Sequence, residues 1–259
     1  MNDIIMPALF LGHGSPMNAI EDNEFSQGFR NIAKSLPKPD SIVCVSAHWE
    51  TYGTFVTAME APETIHDFGG FPKALYEIQY PAPGNPALAN EIIEHNTLIQ
   101  IQPDMQWGLD HGTWSVLRHM YPDADIPIIQ LSIDRNANLM QQVEIAKSLQ
   151  WLRDKGVMLV GSGNIVHNLG HIDWEYPDAG FPWAIQAGNT LRQWMADNNF
   201  SALMDYQNQG EELRLAIPTP EHFIPALYIL AQKQREDTIT FFNQKTVLGA
   251  IDMTSFVIR

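Results

Sequence analysis

Nine histidines, at positions 13, 48, 66, 95, 111, 119, 167, 171 and 222, have the widest chemical reach in this 259-residue chain. A neutral imidazole offers a nitrogen lone pair to zinc, iron or copper, and one that titrates near pH 7 can exchange protons. Three of the nine follow apolar runs within a few residues: His13 after residues 7–11, His48 after 42–46 and His167 after 157–160. If those runs are neighbouring strands of one sheet, their ends bring distant imidazoles to a common rim. A metal site is the chemistry such a rim would support.

Two further segments suit a catalytic site. Trp107-Gly108-Leu109-Asp110-His111-Gly112-Thr113-Trp114 sets His111 between glycines and tryptophans just before an apolar helix, where an acid/base group could line an aromatic-sized pocket. Pro218-Thr219-Pro220-Glu221-His222-Phe223 places Glu221 and His222 at a helix start, with Thr219 or Pro220 near the cap. Either could ligate a metal, but adjacent helical residues point about 100° apart, so one of the two is expected to do so. His66 lies on a glycine-rich aromatic loop that suits either a cover over a ligand or an ordinary turn, and His95 and His119 sit on helix-like stretches without other site features. His167 and His171 are four apart, as on one helix face, but no His-Glu-x-x-His motif is present and Gly170 weakens a helix there. Gly161-Ser162-Gly163-Asn164 has no third glycine at Val166, and Gly12-His13-Gly14 is followed by Met17 at the equivalent place, which argues against a dinucleotide fingerprint. Neither Ser15 nor Ser162 stands in Gly-x-Ser-x-Gly, so a serine nucleophile elbow is not expected.

The elements that must position these residues read as strands covered on both faces, because their apolar runs are continuous and not alternating. Candidate strands are 7–11, 42–46, 126–133, 157–160, 238–242 and 254–258; candidate helices are 139–153, 183–194 and 223–231, the first stopping before Lys155-Gly156. Three prolines predict a loop over 80–86. Strands alternating with helices imply an α/β fold: one domain over residues 1–259, with a mostly parallel central sheet flanked by helices and a metal site at the strand ends. A composition that is 45% hydrophobic can bury one large core. The formal charge of −15 excludes a generic nucleic-acid binder, which neutralises phosphates with basic residues. The single cysteine, Cys44, excludes an intrachain disulfide and reads as a buried thiol. No apolar run reaches the roughly 18 residues of a membrane helix, and Asp3 stands where a signal peptide would be basic, so a cytoplasmic location without membrane contact is expected.

Taken together and in order, several motifs resemble the bacterial 4,5-DOPA-extradiol-dioxygenase proteins of the class III (LigB-type) extradiol dioxygenase superfamily. They are Pro7-Ala8-Leu9-Phe10-Leu11-Gly12-His13-Gly14-Ser15-Pro16-Met17-Asn18, Val45-Ser46-Ala47-His48-Trp49, Thr64-Ile65-His66-Asp67-Phe68-Gly69-Gly70-Phe71-Pro72, Asp110-His111-Gly112, Gly161-Ser162-Gly163-Asn164-Ile165-Val166-His167-Asn168 and Pro218-Thr219-Pro220-Glu221-His222. The resemblance implies that His13, His48 and His222 are metal ligands, that His167 is a base or a fourth ligand, and that His111 lines the substrate pocket. Its implied reaction joins a catechol such as DOPA to both atoms of O₂, giving a muconate semialdehyde. Fe(II) is expected for that chemistry, whereas an all-histidine site also suits Zn(II), which has no redox chemistry. Ring-cleaving relatives of the protocatechuate type use two histidines and a glutamate, and this chain departs from them in aligning His222, not Glu221, with the ligand position. The competing expectations are a zinc-dependent hydrolase on the same histidines and a non-catalytic metal-binding scaffold.

Overall fold

A computed structural model describes residues 5–96 and 99–259; Asp3, on which the reading of the amino-terminal segment turns, lies outside them. Strands β1 (Ala8–Gly12), β2 (Ser41–Thr51), β3 (Thr54–Thr57), β4 (Ile101–Asp104), β5 (Ile128–Asp134), β6 (Val157–Gly163), β7 (Ile239–Phe242) and β10 (Ser255–Ile258) form one sheet in the order β4-β3-β5-β2-β6-β1-β10-β7. The central run β5-β2-β6-β1 is parallel throughout, while β10 and β7 add an antiparallel edge. A two-stranded ribbon, β8 (Thr246–Val247) with β9 (Ile251–Asp252), stands apart from it. This is the α/β architecture with a mostly parallel central sheet that the apolar runs predict.

Both faces of the central strands are covered. On β1, Ala8 and Phe10 point into one core while Leu9 and Leu11 point into the other, and all four are fully buried. Period-two alternation between two dry layers requires every residue of the strand to be apolar. Helices α1 (Glu24–Lys34), α2 (Lys73–Tyr76) and α4 (His111–Met120) contribute to the layer of Leu9 and Leu11. The opposite layer is built by α3 (Pro86–His95), α5 (Leu139–Lys147), α6 (Pro182–Ala196), α7 (Phe200–Met204), α8 (Glu211–Ala216) and α9 (Ile224–Leu230).

Three local readings of the sequence are corrected. The helix expected over 139–153 ends at Lys147, where the Ser148 hydroxyl donates to the Ile145 carbonyl at 2.6 Å; the chain resumes as a 3-10 turn, Gln150–Lys155. Gly156 then adopts φ 75°, the left-handed cap its position suggests. Pro86 belongs to α3 and not to the preceding loop: it fills the first helical turn, where no amide donor is needed, and Asn85 caps it by accepting from the Leu88 amide at 3.0 Å. Finally, β2 continues past residue 46, so His48 lies within the strand, where its register against β5 shifts between Val45 and Glu50.

Parallel pairing aligns the carboxyl ends that matter. Ser162 of β6 stands beside Leu11 of β1 and Ser46 of β2. His13 and His48 therefore emerge on either side of one serine.

Candidate metal centre

His13 leaves β1 with its amide donating to the Gly163 carbonyl at 3.1 Å, and is 2% exposed. Its Nε2 lies 3.2 Å from Nε2 of His48. The third imidazole, His222, comes from the turn ahead of α9 and is held to the end of β6 by the Asn164 amide, which donates to the His222 carbonyl at 2.9 Å. Gly163 makes that approach possible, since a Cβ there would sit 2.2 Å from the His222 carbonyl oxygen. One ligand atom from each of His13, His48 and His222 lies within 4.8 Å of the others.

The surrounding hydrogen bonds determine which nitrogens carry protons. Ser162 Oγ donates to the Gly112 carbonyl at 2.5 Å, so toward His13 Nδ1, 2.9 Å away, it can only accept. The His13 proton therefore sits on Nδ1 and the lone pair on Nε2. Glu221 Oε1 lies 3.0 Å from His222 Nδ1, and a carboxylate there fixes the same tautomer, with the lone pair on Nε2. Burial opposes the charge on Glu221, but its hydrogen bond with His222 outweighs this and holds the carboxyl down to about 2. His222 Nε2 is buried with no hydrogen-bond partner. Burial first, and then mutual repulsion among the imidazoles, pushes His13 and His48 well below the ordinary histidine range. Neutral imidazoles with lone pairs converging and one nitrogen orphaned fit a divalent transition-metal ion.

The other site candidates take different positions. His167 is brought to the same place by its amide bond to the Ala216 carbonyl at 2.9 Å. Its ring stacks on His222, with centroids 3.5 Å apart and planes 7° from parallel; it lies outside the group of His13, His48 and His222 but forms a second group of possible ligands with Glu221 and His222. Burial and the neighbouring His222 lower its pKa to about 3. His111 opens α4, its ring centroid 3.9 Å from that of His48. Gly112 permits this packing, because a Cβ there would meet Ser46 Oγ at 2.5 Å and His48 Cδ2 at 2.9 Å.

Asp67 embraces His111. One carboxylate oxygen accepts the His111 amide at 2.8 Å, and the other lies 2.9 Å from Nδ1, a close contact with poor hydrogen-bond alignment. Burial works against the Asp67 charge, but the His111 contacts prevail and keep its carboxyl below the usual range. Asp110 caps α4 by accepting from the Thr113 amide at 3.1 Å, and also accepts from Ser46 Oγ and Gln130 Nε2, each at 2.7 Å. Burial and the nearby Asp67 push the Asp110 carboxyl up.

A cavity of about 290 Å³ opens over His13, His48, His111, His167 and His222. Its other walls are mainly apolar, with Phe71, Leu169, Ile172, Trp174, Leu248 and Ile251 among them. The remaining histidines lie outside it: His66 contacts the Ile78 carbonyl, His95 packs on Trp151, His119 contacts the Asn18 carbonyl, and His171 lies beside Trp183. His167 and His171 do not share a helix face, since only Leu169–His171 forms a short 3-10 turn. Sequence reasoning assigned no role to Asp67, and it weighed Ser162 only as a nucleophile. The signal for Ser162 was its glycine-flanked position at a strand end; for Asp67 there was no spacing signal, because its partner is 44 residues away.

Residues 7–246 match the LigB family, described as the catalytic LigB subunit of aromatic ring-opening dioxygenase. The chain is 46% identical to 4,5-DOPA dioxygenase extradiol of Escherichia coli (strain K12), with 98% of this chain and 95% of that protein covered. It is 35% identical to 4,5-DOPA dioxygenase extradiol of Beta vulgaris, with 86% and 85% covered. A crystal structure of an uncharacterized protein from Escherichia coli K12 superposes with a TM-score of 0.83 at 41% identity, covering 98% of this chain and 100% of that one. The chain belongs to the LigB family of aromatic ring-opening dioxygenases and is an oxidoreductase of the extradiol type.

Proposed function

We propose that the protein opens the ring of a catechol, with DOPA the first candidate, beside its two hydroxyls, at a metal ion held by His13, His48 and His222. Both atoms of O₂ enter the product, a muconate semialdehyde. The observation that carries this reading is the convergence of three imidazoles on the floor of a largely apolar cavity of about 290 Å³, of a size for one substituted aromatic ring. The names of the relatives from Escherichia coli and Beta vulgaris support DOPA as that candidate. When bound, Fe(II) supplies the redox chemistry with O₂ and the charge that favours the catecholate, whereas Zn(II) fits the same donors without redox capacity.

The protein's own groups manage the protons and the fit. Burial and His222 keep His167 unprotonated near neutral pH, so an imidazole nitrogen of the cavity wall is free to accept a hydrogen bond from a catechol hydroxyl. His111, gripped at its amide and at Nδ1 by Asp67, is oriented to hydrogen-bond a substrate oxygen and return a proton. Phe71, Ile172 and Ile251 exclude water and pack on the ring. Because these groups run from His13 to His222, the chain acts as one catalytic domain.

The test is an aerobic and anaerobic assay of catechols on protein reconstituted separately with Fe(II) and Zn(II). Yellow semialdehyde with matching O₂ uptake is expected from the iron form alone. His13→Ala should lose the metal, while His111→Ala should keep it and lose turnover. Substrate loss without O₂ would replace this reading with a hydrolase, and a full metal equivalent at unchanged affinity in His13→Ala would overturn the ligand set.

A further inference from the structure

We infer that this site selects its catechol by the charge of the ring substituent, favouring a side chain that ends in an ammonium group over one that ends in a carboxylate. The inference rests on the proposal that the cavity over the imidazoles holds a catechol. That cavity and a second hollow of about 370 Å³ adjoin, sharing Ser15, Trp174 and Leu248 as walls, and the route inferred for the substituent runs past these three residues from the first into the second. The orphaned Nε2 of His222 marks the end that receives the hydroxyls, and Trp174, 69% exposed, stands at the junction.

The second hollow is lined by Glu21, Glu24 and Asp178, and among the described residues no lysine or arginine lines either hollow. Glu24 and Asp178 share one counter-charge: Lys245 Nζ is 2.5 Å from Glu24 and 3.9 Å from Asp178, and so is already paired, while Arg30 and Arg118 line a separate hollow on the other side of Glu21. The balance of Glu21, Glu24, Asp178 and Lys245 is 1 − 3 = −2. An ammonium group arriving there gains these carboxylates and the exposed face of the Trp174 indole, the preferred aromatic partner of a cation. A carboxylate meets like charge within a Debye length, with no cation among the lining residues to receive it. A zwitterionic amino-acid tail carries both groups and falls between.

The experiment uses iron-loaded enzyme and compares kcat/KM, read by O₂ uptake, for dopamine, L-DOPA, 4-methylcatechol and 3,4-dihydroxyphenylacetate. At low salt dopamine should exceed 3,4-dihydroxyphenylacetate by about tenfold, a ratio that shrinks at roughly 0.5 M salt. The paired variant Glu21→Gln with Asp178→Asn should narrow the same ratio. Equal or inverted values for the two substrates, or a ratio unmoved by the variant, would overturn charge selection while leaving ring cleavage intact. If no catechol is cleaved, the functional proposal has failed by itself, and the Kd ratio of the same two compounds by calorimetry on metal-loaded protein decides the charge question.

Discussion

Replacing Ser162 with alanine removes one oxygen and leaves one buried group without its partner, the Nδ1–H of His13; the carbonyl of Gly112, within α4, loses an additional bond. Ser162 is 0% exposed and His13 only 2%, so bulk water does not readily take the hydroxyl's place. An orphaned buried group costs about 1–3 kcal/mol, which is the expected loss of stability. The more telling effect is on the tautomer. Without the serine acceptor, His13 no longer gains by carrying its proton on Nδ1, and the lone pair on Nε2 is no longer enforced. Partners that orient a ligand histidine are worth about 10–100-fold in metal affinity, or about 1.4–2.7 kcal/mol. Urea unfolding of metal-free protein measures the first quantity, and chelator competition with Zn(II) measures the second. Ser46→Ala is the control: it removes an equally buried hydroxyl that donates to Asp110 at 2.7 Å and accepts the His48 backbone amide at 3.3 Å, but touches no imidazole nitrogen. Both variants should lose stability, but only Ser162→Ala should weaken the metal. Metal affinity within twofold of the parent in Ser162→Ala would refute the tautomer assignment.

Acid should destabilise the metal-free protein well above the range where carboxylates titrate. His167 holds its folded pKa at about 3, and His13 and His48 are also depressed, against about 6.5 in an unfolded chain. Below pH 6.5 the unfolded chain therefore binds more protons, and stability falls as pH drops toward 3, by up to about 1.4 kcal/mol per pH unit for each histidine kept neutral. A urea midpoint unchanged between pH 7.5 and 5.5 would contradict this. Gly163→Ala should cost about 2 kcal/mol or more and lower metal stoichiometry, since its Cβ would meet backbone at 2.2 Å. Gly69→Ala, whose Cβ meets nothing within 4 Å, should leave the thermal midpoint nearly unchanged in the same melt.

The parts of the fold that could be read in advance are those buried on both faces. Residues 42–46 and 157–160 announce β2 and β6 because neither face of these strands meets water, whereas β3 and β4 carry no such run. Gln102 and Pro103 of β4 are exposed at the sheet edge, and pairing with β3 places them there, not their own pattern. Helix α1 does carry a helical period, Phe25, Phe29, Ile32 and Ala33, all packed on one core layer, but its short apolar stripe stands among charged and polar residues and is absent from the candidate helices. At the site, strand-end placement pointed to His13, His48 and His167, and the helix-start motif offered Glu221 and His222 as alternatives. In the structure the Glu221 carboxylate lies on His222 Nδ1, and His222 Nε2 is buried without a partner. Ser162 acts on a residue 149 positions away, and only the register of β1 against β6 makes them neighbours.

Strand β1 lies between β6 and β10, so the strand that leads into His13 lacks one of its hydrogen-bonded neighbours until residue 258 has been made. The neighbours of β1 thus come from the middle and from the far end of the described chain, and His13 takes its place only through long-range closure, which is slow.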